Sequence, residues 1–297
     1  RWIAPVLSVV VSSAVAGAAT APVGMAHFNQ IAQYGLVANL AAVPVMGIWV
    51  VPLAVVAALL MPFGLDWIAL EIMALGLGWI LGVAHTVAGW EGSVGHIVAP
   101  APVVLPLIAV GGLILCLWRG RGRLAGLAPL VLAAVLWAGT ERPPVLIADS
   151  GTLVGLMTPQ GRALSRDRGS AFVAGVWLEN DGQGYDQPQA AALWPEPVAD
   201  RMAQADLDGL HLMHLQGKRA AARVETCQPG QIIVSSVDID LPGGCEVFDP
   251  ARLRHSGSVA VWMEQGTPRI VTDRDASGTR LWHGATPKPF RLAWRTQ

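Results

Sequence analysis

Charge is what this sequence most lacks. Only 14% of its 297 residues are Asp, Glu, Lys or Arg, against about 25% in an ordinary soluble domain. The deficit is one-sided. Residues 1–140 hold four basic side chains (Arg1, Arg119, Arg121, Arg123), three acidic ones (Asp66, Glu71, Glu91) and no lysine, while residues 141–297 hold 16 basic and 18 acidic. The first part cannot pair enough polar surface with water to be a soluble domain; the second has ordinary soluble composition. A net charge of −1 removes any global basic field that would announce nucleic acid or an anionic lipid surface. Other absences narrow the chemistry. There is no Gly-x-Ser-x-Gly elbow and no Cys/His constellation for nucleophilic catalysis. The glycines of Leu75-Gly-Leu-Gly-Trp79 lack the strand–turn–helix setting of a phosphate loop and read as helix packing. No nucleotide-binding motif and no cofactor are expected.

What residues 1–140 do contain is apolar runs near the roughly 20 residues needed to cross about 30 Å of hydrocarbon. Five are predicted: Trp2–Ala19, Leu36–Leu60, Trp67–Ala88, Val103–Trp118 and Leu124–Ala138. A polar stretch, Thr20 to Gln30, follows the first. Pro44 and Pro52 free backbone carbonyls in the second, which is expected to be kinked or discontinuous. Glu71 and His85 leave the third open between a span and an interfacial helix, and either residue could gate a path. Seven tryptophans, Trp2, Trp49, Trp67, Trp79, Trp90, Trp118 and Trp137, fall in this part, several near span ends where an indole is half wet; Trp49 and Trp79 fit better as core filling. The chain opens at Arg1 and is read as a fragment of something longer.

Orientation rests on Arg119-Gly-Arg121-Gly-Arg123, between the fourth and fifth runs. The positive-inside rule puts this loop in the cytoplasm, so everything after Thr140 is expected outside. These arginines could also meet phosphate. Polar groups at membrane depth face protein or a water-filled path. His27, Asn29, Gln30, Asn39 and the nearby Pro44 are therefore candidates to line a channel, or they belong to an external loop with interhelical hydrogen bonds.

After Glu141-Arg-Pro-Pro144, a mixed α/β domain of about 150 residues is expected, long enough for its own core. Strands are predicted at Val145–Asp149, Thr152–Met157, Leu210–Leu215, Gln231–Ile239, Ser258–Glu264 and Arg269–Asp273. Helices are predicted at Ser170–Glu179 and Lys218–Thr226, and a loop over Gly182–Pro197. Cys116 lies in a span and reads as packing. Cys227 and Cys245 could be unpaired or could form a disulfide in an oxidising compartment. Arg162, Arg166 and Arg168 read as a solvated loop interrupted by Asp167. Asp206-x-Asp208-x-x-His211-x-x-His214 is the nearest approach to a metal-ligand run, but in a strand His211 and His214 point to opposite faces, so solvated or locally bonded residues are expected. His255 and His283 are the remaining histidines of this part.

The run Thr20-Ala21-Pro22, His27-Phe28-x-Gln30, Asn39-Leu40 and Pro44 resembles the end of the competence domain of the ComEC/Rec2 family. Pro144-Val-Leu-Ile-Ala-Asp-Ser-Gly151 sits where that family begins a C-terminal metallo-β-lactamase-like domain. Phe248-Asp249, Gly257, Val259-Ala260-Val261-Trp262 and Arg274…Gly278…Arg280-x-Trp282 resemble the shortened tail of its proteobacterial members. The resemblance implies a polytopic α-helical membrane domain over residues 1–140, then a degenerate, extracytoplasmic metallo-β-lactamase-like α/β domain over residues 141–297. It implies an inner-membrane channel component for single-stranded DNA in natural transformation. Its partners would be the DNA, the lipid bilayer and other competence components, with room for a homo-oligomer. The His-x-His-x-Asp-His metal motif of complete members is absent, so the C-terminal domain is expected to be non-catalytic. The alternatives are a small-solute transporter with an accessory external domain, or a membrane-tethered metal-dependent hydrolase or nuclease.

Overall fold

The computed structural model describes residues 3–207, 209–264, 266–278 and 280. Arg1, Trp2, Asp208, Trp282 and His283 lie outside the described residues. The chain divides into two units, Arg1–Thr140 and Glu141–Gln297.

The first unit is helical. Its elements are α1 (Ile3–Phe28), the short strand β1 (Gln30–Ala32), α2 (Gly35–Val45), α3 (Val51–Leu60), α4 (Asp66–Ala88), β2 (Val94–His96), α5 (Val104–Leu117) and α6 (Leu127–Ala138). Among the described residues, four helical stretches are long and apolar enough to cross a membrane: Val10–Phe28, Gly35–Phe63, Asp66–Ala88 and Arg121–Ala138. Three expectations need correction. The polar Thr20–Phe28 stretch is not a loop but the continuation of α1, which takes Pro22 in its stride; Thr20 helps by returning its hydroxyl to the Ala16 carbonyl at 2.9 Å. The fourth run yields only the 14-residue α5, about 21 Å at 1.5 Å per residue. The arginine loop is shorter than it reads, because Arg121–Gly126 forms a 3₁₀ turn leading directly into α6.

β1 and β2 pair antiparallel, Gln30 opposite His96, and so tie the C-terminal ends of α1 and α4 to one end of the bundle. The indole of Trp137, in the last turn of α6, donates to the Val98 carbonyl at 2.8 Å. The C-terminus of α6 is therefore held at that same end. Arg121 and Arg123, in the 3₁₀ turn that precedes α6, lie at the other. Tryptophans mark both levels. Trp67 and Trp118 are exposed at the arginine end, and at the ribbon end Trp90 meets the Tyr34 ring edge-on at 5.2 Å. The 23 residues of α4 separate these levels by about 34 Å, close to the thickness of a bilayer's apolar layer.

The second unit is mixed α/β. It runs β3 (Val145–Ile147), β4 (Val154–Thr158), β5 (Gly161–Leu164), α7 (Ala171–Asn180), α8 (Gln187–Ala191), β6 (Met202–Leu207), β7 (Leu210–Leu215), α9 (Lys218–Ala221), β8 (Gln231–Ser235), β9 (Glu246–Phe248), α10 (Pro250–Ser256), β10 (Val259–Glu264), β11 (Thr267–Thr272) and α11 (Asp273–Ser277). One sheet has the order β11-β10-β3-β4-β5 and the other β6-β7-β8-β9. Their facing sides share one apolar core, Val145, Ile147, Leu156 and Val261 from the first with Ala205, Leu212, Ile232 and Phe248 from the second. Trp177 and Leu178 of α7 cover Leu153 and Leu164 of the first sheet region, and Ala220 of α9 packs with Leu215 and Ile233 of the second. The expected loop Gly182–Pro197 contains α8, which Asp186 and Gln189 close with a reciprocal capping box.

Candidate functional site

Between α2 and α3 the helix does not stop; it loosens. Met46–Val50 form a π turn, flanked by Pro44 and Pro52, and the Val51 N–H bonds to the Met46 carbonyl five residues back. A proline removes the donor that its i−4 carbonyl needs, and widening the turn is one way to re-register the helix without breaking it; such turns cluster at functional positions. Two indoles lock this irregular stretch to α4. Trp49, on the π turn, donates to the Ile72 carbonyl at 2.9 Å, and Trp79 of α4 donates back to the Ala41 carbonyl at 3.2 Å. Gly76 provides the space: a Cβ there would stand 2.6 Å from Trp49 Cδ1 and 3.1 Å from Val50 Cγ2. The reading of Trp49 and Trp79 as core filling is thus corrected: both rings are more than two-fifths exposed and act through their N–H groups. A second close approach joins α5 to α6, where Gly111 and Gly126 meet backbone to backbone; a Cβ on Gly126 would sit 2.5 Å from the Gly111 carbonyl oxygen.

The polar candidates are spread along this bundle. His27 is exposed in the last turn of α1, and Asn29 is buried at 7% exposure with φ +54°, making the turn from α1 into the ribbon. Its backbone carbonyl accepts from Ile97 at 2.9 Å. Gln30 opens β1. Asn39 is exposed one turn into α2 and Pro44 lies near its end, about 8 Å further along the axis. The first three therefore cluster at the ribbon end, and Asn39 and Pro44 descend from it toward the π turn. Glu71 and His85 are both exposed on α4, about 21 Å apart along its axis, so they do not form one gate.

In the second unit the arginine reading changes most. Arg162 is not solvated. It is fully buried on β5, its Nε donating to Asp181 Oδ2 at 2.7 Å and its Nη1 to the Pro143 carbonyl at 2.9 Å. Arg142 donates to the other oxygen of Asp181 at 2.7 Å. Gly155 leaves room for the stack, since a Cβ there would lie 2.8 Å from Arg162 Cδ and 3.1 Å from the Trp177 ring. Arg166 is half-buried, while Asp167 and Arg168 are exposed and paired with each other.

His211 and His214 lie on opposite faces of β7. His211 is exposed and bonded to Asp206 across the β6–β7 pair. His214 is not solvated; it is fully buried between the sheets. Its Nε2 lies 3.1 Å from the Gly151 carbonyl, which only accepts, so Nε2 carries the proton and Nδ1 accepts from the Ser165 hydroxyl at 2.8 Å. Burial pushes its pKa from the ordinary 6.5 down to about 4; the Gly151 carbonyl opposes this and the Arg166 charge adds to it. With both ring nitrogens committed internally, His214 does not fit a metal-ligand role. No group of three His, Cys, Asp or Glu side chains is gathered to hold a metal ion among the described residues. Cys227 and Cys245 are joined by a disulfide, Cα atoms 5.7 Å apart, and Cys116 is free and exposed on α5.

The bundle's geometry can be set beside known families. Residues 1–122 match the family model described as Competence protein. The match covers about two fifths of the chain. This is consistent with the resemblance of the chain to the ComEC/Rec2 family and supports a role in competence and DNA uptake, and the apolar helices suit a membrane protein. The match takes in α1, the ribbon, the π turn, α4 and α5, and ends inside the arginine-bearing turn before α6. No curated protein and no solved structure matches the chain. Sequence reasoning missed the Trp49–Gly76 and Trp79–Ala41 contacts and the Ser165–His214 pair. The glycine and tryptophan spacing on α4 was the available signal for the first two; nothing local marks the third.

Proposed function

We propose that this chain forms part of an inner-membrane path for single-stranded DNA, with the α2–π–α3 helix beside that path and the α/β unit on the extracytoplasmic face. The Competence protein match over residues 1–122 carries this reading. Two further observations support it. The helix that the match covers is irregular at membrane depth, where irregular backbone is tolerated against protein or a water-filled cavity rather than lipid. The three arginines lie at the end of the bundle opposite to Thr140, so cytoplasmic arginines place the chain's exit outside, where the Cys227–Cys245 disulfide is chemically at home. The positive charge that a phosphate backbone demands is scarce in residues 1–140. Arg119, Arg121 and Arg123 would meet DNA on its cytoplasmic side, and other competence components would supply the remaining contacts. The α/β unit, read as a degenerate lactamase-like domain, would bind rather than cleave.

The test is transformation in a naturally competent strain carrying this gene. Deletion should lower the frequency of transformants by orders of magnitude, and the intact chain should restore it. An unchanged frequency after deletion contradicts the reading, and loss of small-solute uptake with normal transformation would point to a transporter instead.

A further inference from the structure

A cleft of 730 Å³ in the α/β unit lies where β5 and β7 end, between α8 and the turn at Ala199–Met202. Its volume falls in the range of small-molecule sites, roughly 300–1,000 Å³. Its lining combines apolar residues, among them Trp194, Pro195, Pro197 and Val198, with the charged Arg166, Arg201, Asp167 and Glu196.

Both arginines are set up in ways that their local structure does not need. Arg166 gives one Nη1–H to the Thr152 carbonyl at 3.3 Å, while its Nε is shielded from water and has no hydrogen-bond partner among the described residues. Arg201 is exposed and makes no ion pair among the described residues. It stands at φ +63°, directly after Asp200 at φ +54°. Ala199 and Met202 bond to each other across this two-residue turn at 2.8 and 3.3 Å. In such turns the second position strongly favours glycine, so an arginine there is held against its backbone preference, and strain of this kind collects at functional sites. The two segments are also clamped together. The Gln216 N–H donates to the Arg201 carbonyl at 3.0 Å, and its side-chain amide donates to the Ser165 carbonyl at 3.0 Å, one residue before Arg166. Gln187 holds the other side of Arg166 through its carbonyl at 3.2 Å.

We infer that this cleft binds a mononucleotide, its phosphate between the Arg166 and Arg201 guanidinium groups and its base against the apolar lining. Two guanidinium forks offer more N–H donors than one carboxylate can accept, whereas a phosphate monoester brings several terminal oxygens and a charge of about −1.5 to −2. Asp167 also lines the cleft and pairs with Arg168 at 3.2 Å. Glu196, on the same cleft, supplies an acceptor for a sugar hydroxyl or base amino group. A long strand is disfavoured, because residues 141–297 carry 18 acidic against 16 basic side chains and offer no extended cationic track. The inference uses the α/β unit alone, and it stands or falls separately from the DNA path.

The test is calorimetric titration of the full chain in detergent with thymidine 5′-monophosphate, inorganic phosphate, thymidine and a thymidylate dodecamer. The monophosphate should saturate one site with a Kd below about 1 mM, and phosphate or thymidine alone should bind at least about tenfold more weakly. Arg166→Gln should weaken binding. Arg201→Gly carries the sharper expectation: it should raise the melting temperature by relieving the turn and weaken binding about tenfold or more. No binding of the monophosphate up to about 10 mM, or an unchanged affinity in Arg201→Gly, overturns the inference. Tighter binding of the dodecamer than of the monophosphate, dependent on Arg201, overturns the assignment to a free nucleotide.

Discussion

His214 and Asp181 show what single buried side chains do to the α/β unit. An unfolded His214 takes its proton near 6.5, and the folded one only near 4. Between those values the unfolded state binds more protons, so the stability from the neutral ring is complete above pH 6.5 and is lost as pH falls toward 4. The loss is about 3 kcal/mol. Melting of the chain in detergent between pH 7 and 4 should show it, and His214→Gln should flatten that dependence. Asp181 holds two guanidinium groups, one of them wholly buried. Asp181→Asn leaves the Arg162 charge without its counter-ion and should cost about 3–5 kcal/mol; a melting temperature within error of the parent would refute this. The strand geometry of His211 and His214 is legible in the sequence, because period two sends residues three apart to opposite faces. The burial of Arg162 is not, since its partner lies 19 residues on and its other acceptors are main-chain carbonyls.

At the scale of elements, the π turn is where local sequence and tertiary packing divide the work. Pro44 and Pro52 announce that the helix loses donors, which is why an interruption could be expected. They do not say how the interruption is held. That depends on Trp49, Gly76, Trp79 and Ala41 meeting across two helices. The two halves of this contact differ in weight. Gly76→Ala places a methyl 2.6 Å from the Trp49 ring, and overpacking of this kind costs about 1–3 kcal/mol. Trp49→Phe removes one hydrogen bond between helices, worth about 0.6 kcal/mol on average. Unfolding of the purified chain in mixed micelles should therefore rank Gly76→Ala as the more damaging, and the reverse order would contradict the packing described here. The extension of α1 through Thr20–Phe28 is not legible in the sequence, because the polar residues there read as equally at home in a loop. The threonine bonds within the helix and the proline sits inside it without ending it. In the α/β unit, α7 and β7 fall where the sequence predicts a helix and a strand, whereas β5, β6 and β9 were not expected. β5 is buried at every position, so it shows no alternation, and β9 is only three residues long.

At the scale of the whole molecule, the uneven charge is the most informative feature of the chain. It separates an apolar helical bundle from an α/β unit with its own core, and the competence match falls on the bundle. Within that bundle the ribbon and the Trp137–Val98 bond put the end of α6 at one level and Arg121 and Arg123 at the other. We propose that the bundle crosses the membrane and delivers the α/β unit to the face opposite its arginine turn. Side-specific thiol labelling tests this most directly, using single cysteines at position 121 or 172 in a Cys116→Ser background. Phe172 is 84% exposed, so both positions should be reachable by a reagent on their own side. In intact spheroplasts an impermeant maleimide should label Phe172→Cys at once and Arg121→Cys only after the membrane is opened. Labelling of both before permeabilisation, or of position 121 alone, would contradict the account.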